Sequence, residues 1–183
     1  THMIGAKVTG KTLGIIGFGR IGQAVASRGH FGFGMKINIF SRSQVSAEIL
    51  GKYNAKQFSS VEALLEESDF VSLHCPGGAS NRHLINASNL AKARSGLILI
   101  NTARGEVVDE TALADALENN VIKAAGLDVF DGEPKINPIL MAAPNLVMLP
   151  HLGSATKETR EEMGFRALAV SYTHLTLPTS YAV

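Results

Sequence analysis

At 183 residues, 45% hydrophobic and 18% charged, the chain has the length and balance of one globular domain with a core of its own. A formal net charge of +1 without a Lys/Arg cluster offers no electrostatic footprint for nucleic acid or an anionic membrane. No apolar run reaches spanning length, the first residues lack the regions of a secretory signal, and a lone Cys75 excludes an internal disulfide, so a cytoplasmic setting is expected.

Residues 1–10 read as an extended entry. "KTLGIIGFG" is a buried strand running into a glycine turn, and "RIGQAVASRGHFG" places Ile21, Ala24 and Val25 at helical spacing before further glycines. "KINIF" is a second strand and "AKQF" a short one. "SSVEALLEES" opens a helix with a capping box, Ser59 standing three residues before Glu62. "DFVSLHC" is a strand, "LINASNLAKAR" a helix, and "GLILINTA" a strand. "DETALADALENN" is a helix with acids in its first turn. "KAAGLDVF" and "NLVMLP" complete the strands, and "TKETREEMGFRALA" is amphipathic. Continuous apolar strands alternating with helices indicate a parallel sheet covered on both faces, a doubly wound α/β domain over residues 11–169.

Residues 170–183, "VSYTHLTLPTSYAV", break the pattern, being poor in helix formers. Residues 170–179 resemble one translated frame of a transposon-type sequencing adapter. The whole tail is therefore expected to be non-native, and Tyr172 and His174 to carry no function.

The turn after the first strand is Gly17-Phe18-Gly19-Arg20-Ile21-Gly22, a G-x-G-x-x-G that follows an apolar strand and opens a helix. In that context it predicts a dinucleotide site of the Rossmann type; a glycine turn without ligand is the bland alternative. Gly17 permits the tight turn, Gly19 the approach of a pyrophosphate, and Gly22 close helix–strand packing. The helix N-terminus then supplies N–H groups and positive dipole for phosphate. At the end of the second strand, where a carboxylate would accept bonds from the ribose hydroxyls of NAD, stand Ser41, Arg42 and Ser43. A guanidinium binds a 2′-phosphate with paired, charge-assisted bonds, and the missing carboxylate removes repulsion. NADP(H) is the expected cofactor and NAD(H) the alternative; Arg42 as an exposed loop residue is the competing reading.

Three later segments, "NTARGEVVDE", "GLDVFDGEP" and "LPHLGSAT", follow successive strands, at the sheet edge where open α/β folds bind ligands. With the glycine loop and "SLHCP", their order R-G-x-x-V-D-E, G-L-D-V-F-x-x-E-P and P-H-x-G-S-A-T closely resembles the D-isomer-specific 2-hydroxyacid dehydrogenases, over nearly all of residues 10–169. The resemblance implies that Arg104 grips a 2-oxo acid and polarises its carbonyl. It implies that His151 is the general acid and that Glu133 bonds its other ring nitrogen and keeps it protonated. The chemistry agrees: hydride addition builds negative charge on oxygen, which a proton donor and a fixed cation stabilise. The same resemblance places Asp128, Thr102 and Ala103 by the nicotinamide and His74, Cys75 and Pro76 by the adenosine side, with Asn81, Arg104, His151 and Gly153 as further expected cofactor contacts.

His74, Cys75 and His83 do not make a metal site, because strand neighbours face opposite ways and no fourth ligand has suitable spacing. No metal is expected, and Cys75 reads as packing. The family usually has threonine where Asn81 stands, and "PGGAS" is richer in glycine than its common form. Family members carry a separate substrate domain largely preceding this one, so residues 1–10 are expected to enter from it, and a fragment of this sequence alone to turn over negligibly. The expected activity of the full-length enzyme is hydride transfer between NADP(H) and a short 2-oxo acid of the glyoxylate or hydroxypyruvate type, in a homodimer. NAD-linked phosphoglycerate or lactate dehydrogenases and a corepressor-like nucleotide sensor are the alternatives.

Overall fold

A computed structural model describes residues 5–175, which divide after Pro150 into two compact units. In the first, seven strands form one sheet: β1 (Thr12–Ile16), β2 (Lys36–Phe40), β3 (Lys56–Phe58), β4 (Phe70–Leu73), β5 (Ile98–Asn101), β6 (Ala124–Leu127) and β7 (Leu146–Met148). Their order is β3-β2-β1-β4-β5-β6-β7, and every pairing is parallel. β1 therefore pairs with β2 on one side and β4 on the other, which makes its C-terminal end the point where the winding reverses.

Alternation along β1 feeds two cores. Leu13 and Ile15 join Ile37, Ile39, Ala26 and Tyr53 on one face, while Ile16 joins Leu64, Leu73 and Leu99 on the other. Ile15, Ile37, Ile39 and Leu64 are fully buried, each contributing about 1.5–3 kcal/mol relative to exposure.

Helix α1 (Arg20–Ser27) and the π turn at Arg28–Gly32 correct the expected apolar stripe. The inward positions are Gly22, Ala26 and Gly29, whereas Ile21 and Ala24 face out. A Cβ on Gly22 would overlap the Gly17 carbonyl oxygen, so the helix lies too close to the sheet for large residues on its inner face. The capping box is also corrected. Ser60, not Ser59, is the N-cap of α3 (Val61–Glu66), and its hydroxyl accepts from Ala63 N–H at 3.2 Å. "LINASNLAKAR" contracts to α4 (Ala87–Leu90), because Asn86 caps its start, Ile85 is held in a bridge to Val108 and Leu84 N–H turns back to Asn81 C=O. Asp109 caps α5 (Glu110–Glu118) as its acids suggested. Two short helices, α2 (Ala47–Lys52) and α6 (Pro138–Ala142), escape the sequence reading, being too brief for a periodic signal.

In the second unit, α7 spans Lys157–Leu175. It passes through residues 170–175, where composition argued against a helix; penalties of a few tenths of a kcal/mol per residue are too small to end one. Residues 176–183 of the tail lie outside the described residues. Among those described, no helix is long and apolar enough to cross a membrane.

Candidate cofactor and active site

At the reversal point, the loop from β1 to α1 is pressed against the chain leaving β4. Gly17 has φ +93°, donates its N–H to Phe40 C=O at 2.9 Å, and would bring a Cβ within 2.6 Å of Cys75 N and His74 C. Only glycine meets both demands. Gly19 differs: it is the N-cap of α1 at φ −77°, and a Cβ there would find nothing within 4 Å. No side chain caps α1, so its first-turn N–H groups and dipole face the same open space. A backbone cradle with room over Gly19 fits the pyrophosphate of a dinucleotide.

A cleft of about 260 Å³ extends from that cradle. Gly17, Phe18 and Gly19 form its floor, Ser41, Arg42 and Ser43 one wall, and His74, Cys75, Pro76 and Asn81 the other. Arg20, Ile21 and Gly22 lie on α1 outside this lining, Gly22 acting through packing. Arg42 Nη1 donates to Ser80 Oγ at 3.2 Å, spanning the mouth from one wall to the other. Its loop is held from β3: Gln57 Nε2 donates to the Ser41 and Ser43 carbonyls at 3.4 and 3.0 Å, and Gln57 Oε1 accepts from Val45 N–H at 3.0 Å.

On the opposite wall, His74 N–H donates to Ile16 C=O at 2.7 Å and its Nε2 lies 2.9 Å from Ser72 Oγ. Burial lowers the His74 pKa, favouring neutral imidazole. Burial likewise pushes the Cys75 thiol up, against smaller opposing effects of a backbone hydrogen bond and Arg42, so it stays a packed thiol. Asn81, in the place of the family's threonine, is buried and donates to Pro76 C=O at 2.8 Å, closing the glycine-rich loop on itself.

Beyond β5, the buried Asn101 shapes the chain that bears Arg104. Its Oδ1 accepts from Ala103 N–H at 3.0 Å and its Nδ2 donates to Arg104 C=O at 2.9 Å. Ala103 is buried, Thr102 is exposed, and the exposed Arg104 donates from Nη1 to Ala103 C=O at 2.6 Å. Asp128 is buried just past β6, its N–H bonded to Asn101 C=O at 2.9 Å, which ties the chain after β6 to the end of β5. Glu133 follows, with Oε1 accepting from Phe130 N–H at 2.7 Å. His151 opens the second unit at φ +56°, with Gly153 two residues on. Among the described residues, no group of three or more His, Cys, Asp or Glu is arranged to hold a metal ion.

Several organising residues escaped the sequence reading: Gln57, Ser80 and Asn101. A buried asparagine at a strand end, as in "LINTA", was the one available signal, since polar side chains are buried only when bonded.

The family profile described as "D-isomer specific 2-hydroxyacid dehydrogenase, NAD binding domain" matches residues 1–153. Glyoxylate/hydroxypyruvate reductase B of Klebsiella pneumoniae subsp. pneumoniae is 50% identical over 161 residues, covering 87% of this chain and 49% of the relative. Glyoxylate reductase of Thermococcus litoralis is 48% identical over 162 residues, covering 87% and 47%. A crystal structure of a glyoxylate reductase from Paecilomyes thermophila superposes with a TM-score of 0.83 at 40% identity, over 92% of this chain and 51% of that one. The chain thus spans about half the length of the curated relatives it matches. With a parallel sheet wound in this order, a glycine cradle at its reversal point and a family profile that matches residues 1–153, the chain belongs to the D-isomer-specific 2-hydroxyacid dehydrogenase family, of which it is the nicotinamide-dinucleotide-binding domain.

Proposed function

We propose that this domain serves an NADPH-dependent reductase of short 2-oxo acids, of the glyoxylate or hydroxypyruvate type. The observation that carries the cofactor preference is the β2 tip. Ser41 stands where a carboxylate would repel a 2′-phosphate, and Arg42 lines the cleft and bonds Ser80 on its far side. The names of the similar reductases support the substrate class.

The cofactor, when bound, supplies the hydride. On this reading the backbone cradle at Gly17 and Gly19 binds the pyrophosphate, and the chain at Thr102 and Ala103, with Asp128, orients the nicotinamide end. Arg104 binds the substrate carboxylate through its planar fork and polarises the carbonyl. His151 delivers its proton to the carbonyl oxygen as the C–H bond forms at the adjacent carbon, and Glu133 serves as its carboxylate partner. The resulting product is a 2-hydroxy acid. The reading carries with it a cytoplasmic homodimer, and it keeps residues 170–183 outside the function as non-native sequence.

The experiment is a comparison of Arg42→Asp with the parent in the full-length protein, following NADPH and NADH oxidation with glyoxylate, hydroxypyruvate and pyruvate. NADPH affinity is expected to fall at least about tenfold more than NADH affinity, the loss of one charge-assisted pair. Equal losses for the two cofactors would return "NIFSRS" to a surface turn and favour the NAD-linked alternative.

A further inference from the structure

The segment that bears Arg104 and the segment that bears Glu133 are fastened to each other by contacts the reaction itself does not require. Gly105 lies face to face with the peptide joining Phe130 and Asp131, where a Cβ would overlap the Phe130 carbonyl carbon and the Asp131 nitrogen. The Asp131 N–H donates to Glu110 Oε1 at 2.8 Å. Glu110 is the first residue of α5, capped by Asp109, and is only 8% exposed. The neighbouring Asn137 side chain favours the charged form of the same carboxyl. From the solvent side, Arg82 Nη2 pairs with Asp131 Oδ2 at 2.8 Å. Within the turn, Phe130 N–H donates to Glu133 Oε1 at 2.7 Å, so the Glu133 carboxylate is held by the peptide immediately before the one that Gly105 and Glu110 grip.

A buried carboxylate is a costly way to satisfy one peptide N–H. Burial raises its pKa most, the bond from Asp131 N–H opposes that, and the acidic neighbours Asp131 and Asp109 raise it further. Capping does not require it, because the Asp109 side chain already accepts from the Thr111 and Ala112 N–H groups at 3.1 Å. What Glu110 adds is a bond from α5 to the chain after β6, at the peptide that Gly105 meets.

We propose that Glu110 is a positioning residue, which clamps the turn at residues 130–133 onto Gly105 so that Arg104 and Glu133 are held in one rigid piece. Its kinetic consequence rests on the catalytic roles proposed above; the clamp itself does not.

The test has two arms. In the 183-residue chain, amide hydrogen exchange is followed at Phe130 and Asp131. Glu110→Ala should speed exchange at both by about tenfold or more, while Glu110→Gln, which keeps an acceptor oxygen, stays near the parent. In the full-length protein, Glu110→Ala should lower kcat for 2-oxo acid reduction about tenfold or more with little change in NADPH affinity, and Glu110→Gln should recover most of it. Should Glu110→Ala fail to fold, Arg82→Met removes the other anchor from an exposed position and should act in the same direction, more weakly.

Unchanged exchange in both Glu110→Ala and Arg82→Met would overturn the clamp. Faster exchange with unchanged kcat would overturn its role in the reaction. A full-length parent that reduces no 2-oxo acid would instead refute the proposed function, and the exchange arm would still decide the clamp.

Discussion

Gly19→Ala separates the fold from the ligand more cleanly than any other change in the glycine loop. At φ −77° an alanine is unstrained, and its Cβ would meet no protein atom within 4 Å. Two small effects on stability then oppose each other. Lower backbone entropy in the unfolded chain stabilises by about 0.4–1 kcal/mol. Alanine is a poorer N-cap than glycine, at a cost of about 0.5–1 kcal/mol. The net change should lie within about 0.5 kcal/mol of zero, below the usual effect of a core substitution. The methyl group nevertheless occupies the space that faces the uncapped turn of α1, where a pyrophosphate must come within hydrogen-bond distance of the backbone. Dinucleotide affinity should fall by about tenfold or more, or 1.4 kcal/mol upwards. Urea unfolding of the 183-residue chain measures the first quantity, and nicotinamide fluorescence on NADPH titration the second. A variant destabilised by more than about 2 kcal/mol would mean that Gly19 serves the fold. One that binds NADPH as the parent does would mean that the phosphates do not lie over this residue.

Gly17→Ala should behave oppositely, since its φ of +93° and the peptide joining His74 and Cys75 both exclude a side chain; a loss of about 3 kcal/mol or more by urea unfolding is expected. Ser68 Oγ is buried without a hydrogen-bond partner among the described residues, so Ser68→Ala should raise the urea midpoint, by about 1 kcal/mol in stability; a lower midpoint would reveal a bond the hydroxyl makes. Burial holds His74 below its ordinary pKa of 6.5, so its contribution is present above pH 6.5 and is lost as the unfolded chain takes up a proton on acidification. Stability measured across pH 5–7 should therefore fall less steeply in His74→Gln than in the parent, and parallel curves would rule this out. Gln57→Ala should weaken NADPH binding without a direct ligand contact, because it frees the loop carrying Ser41, Arg42 and Ser43; a change in affinity below about twofold would show that the loop holds its shape unaided.

The strands and the dinucleotide site were legible in the chain because their signals are local. Runs such as "KINIF" and "GLILI" alternating with helical segments indicate strands covered on both faces, and glycines at 17, 19 and 22 after the first strand leave few alternatives. The two-residue signals were less faithful. Ser59 and Glu62 satisfied the spacing of a capping box, but Ser60 caps the helix, because the entry of β3 into the sheet decides where the first turn begins. Ile21 and Ala24 gave the right helix and the wrong face, since the approach of α1 to β1 admits only small side chains inward.

Local sequence thus determined the elements, their parallel winding and the motif-bearing loops, because hydrophobic period and glycine placement act over a few residues. Tertiary structure alone decided how those loops are held. Gln57 supports Arg42's loop from fourteen to sixteen positions away, Ser80 meets Arg42 across the cleft, and Glu110 reaches the Asp131 peptide from another helix. Each is a hydrogen bond between segments distant in the chain, and its partner follows from the order of strands in the sheet, which no spacing in the sequence encodes.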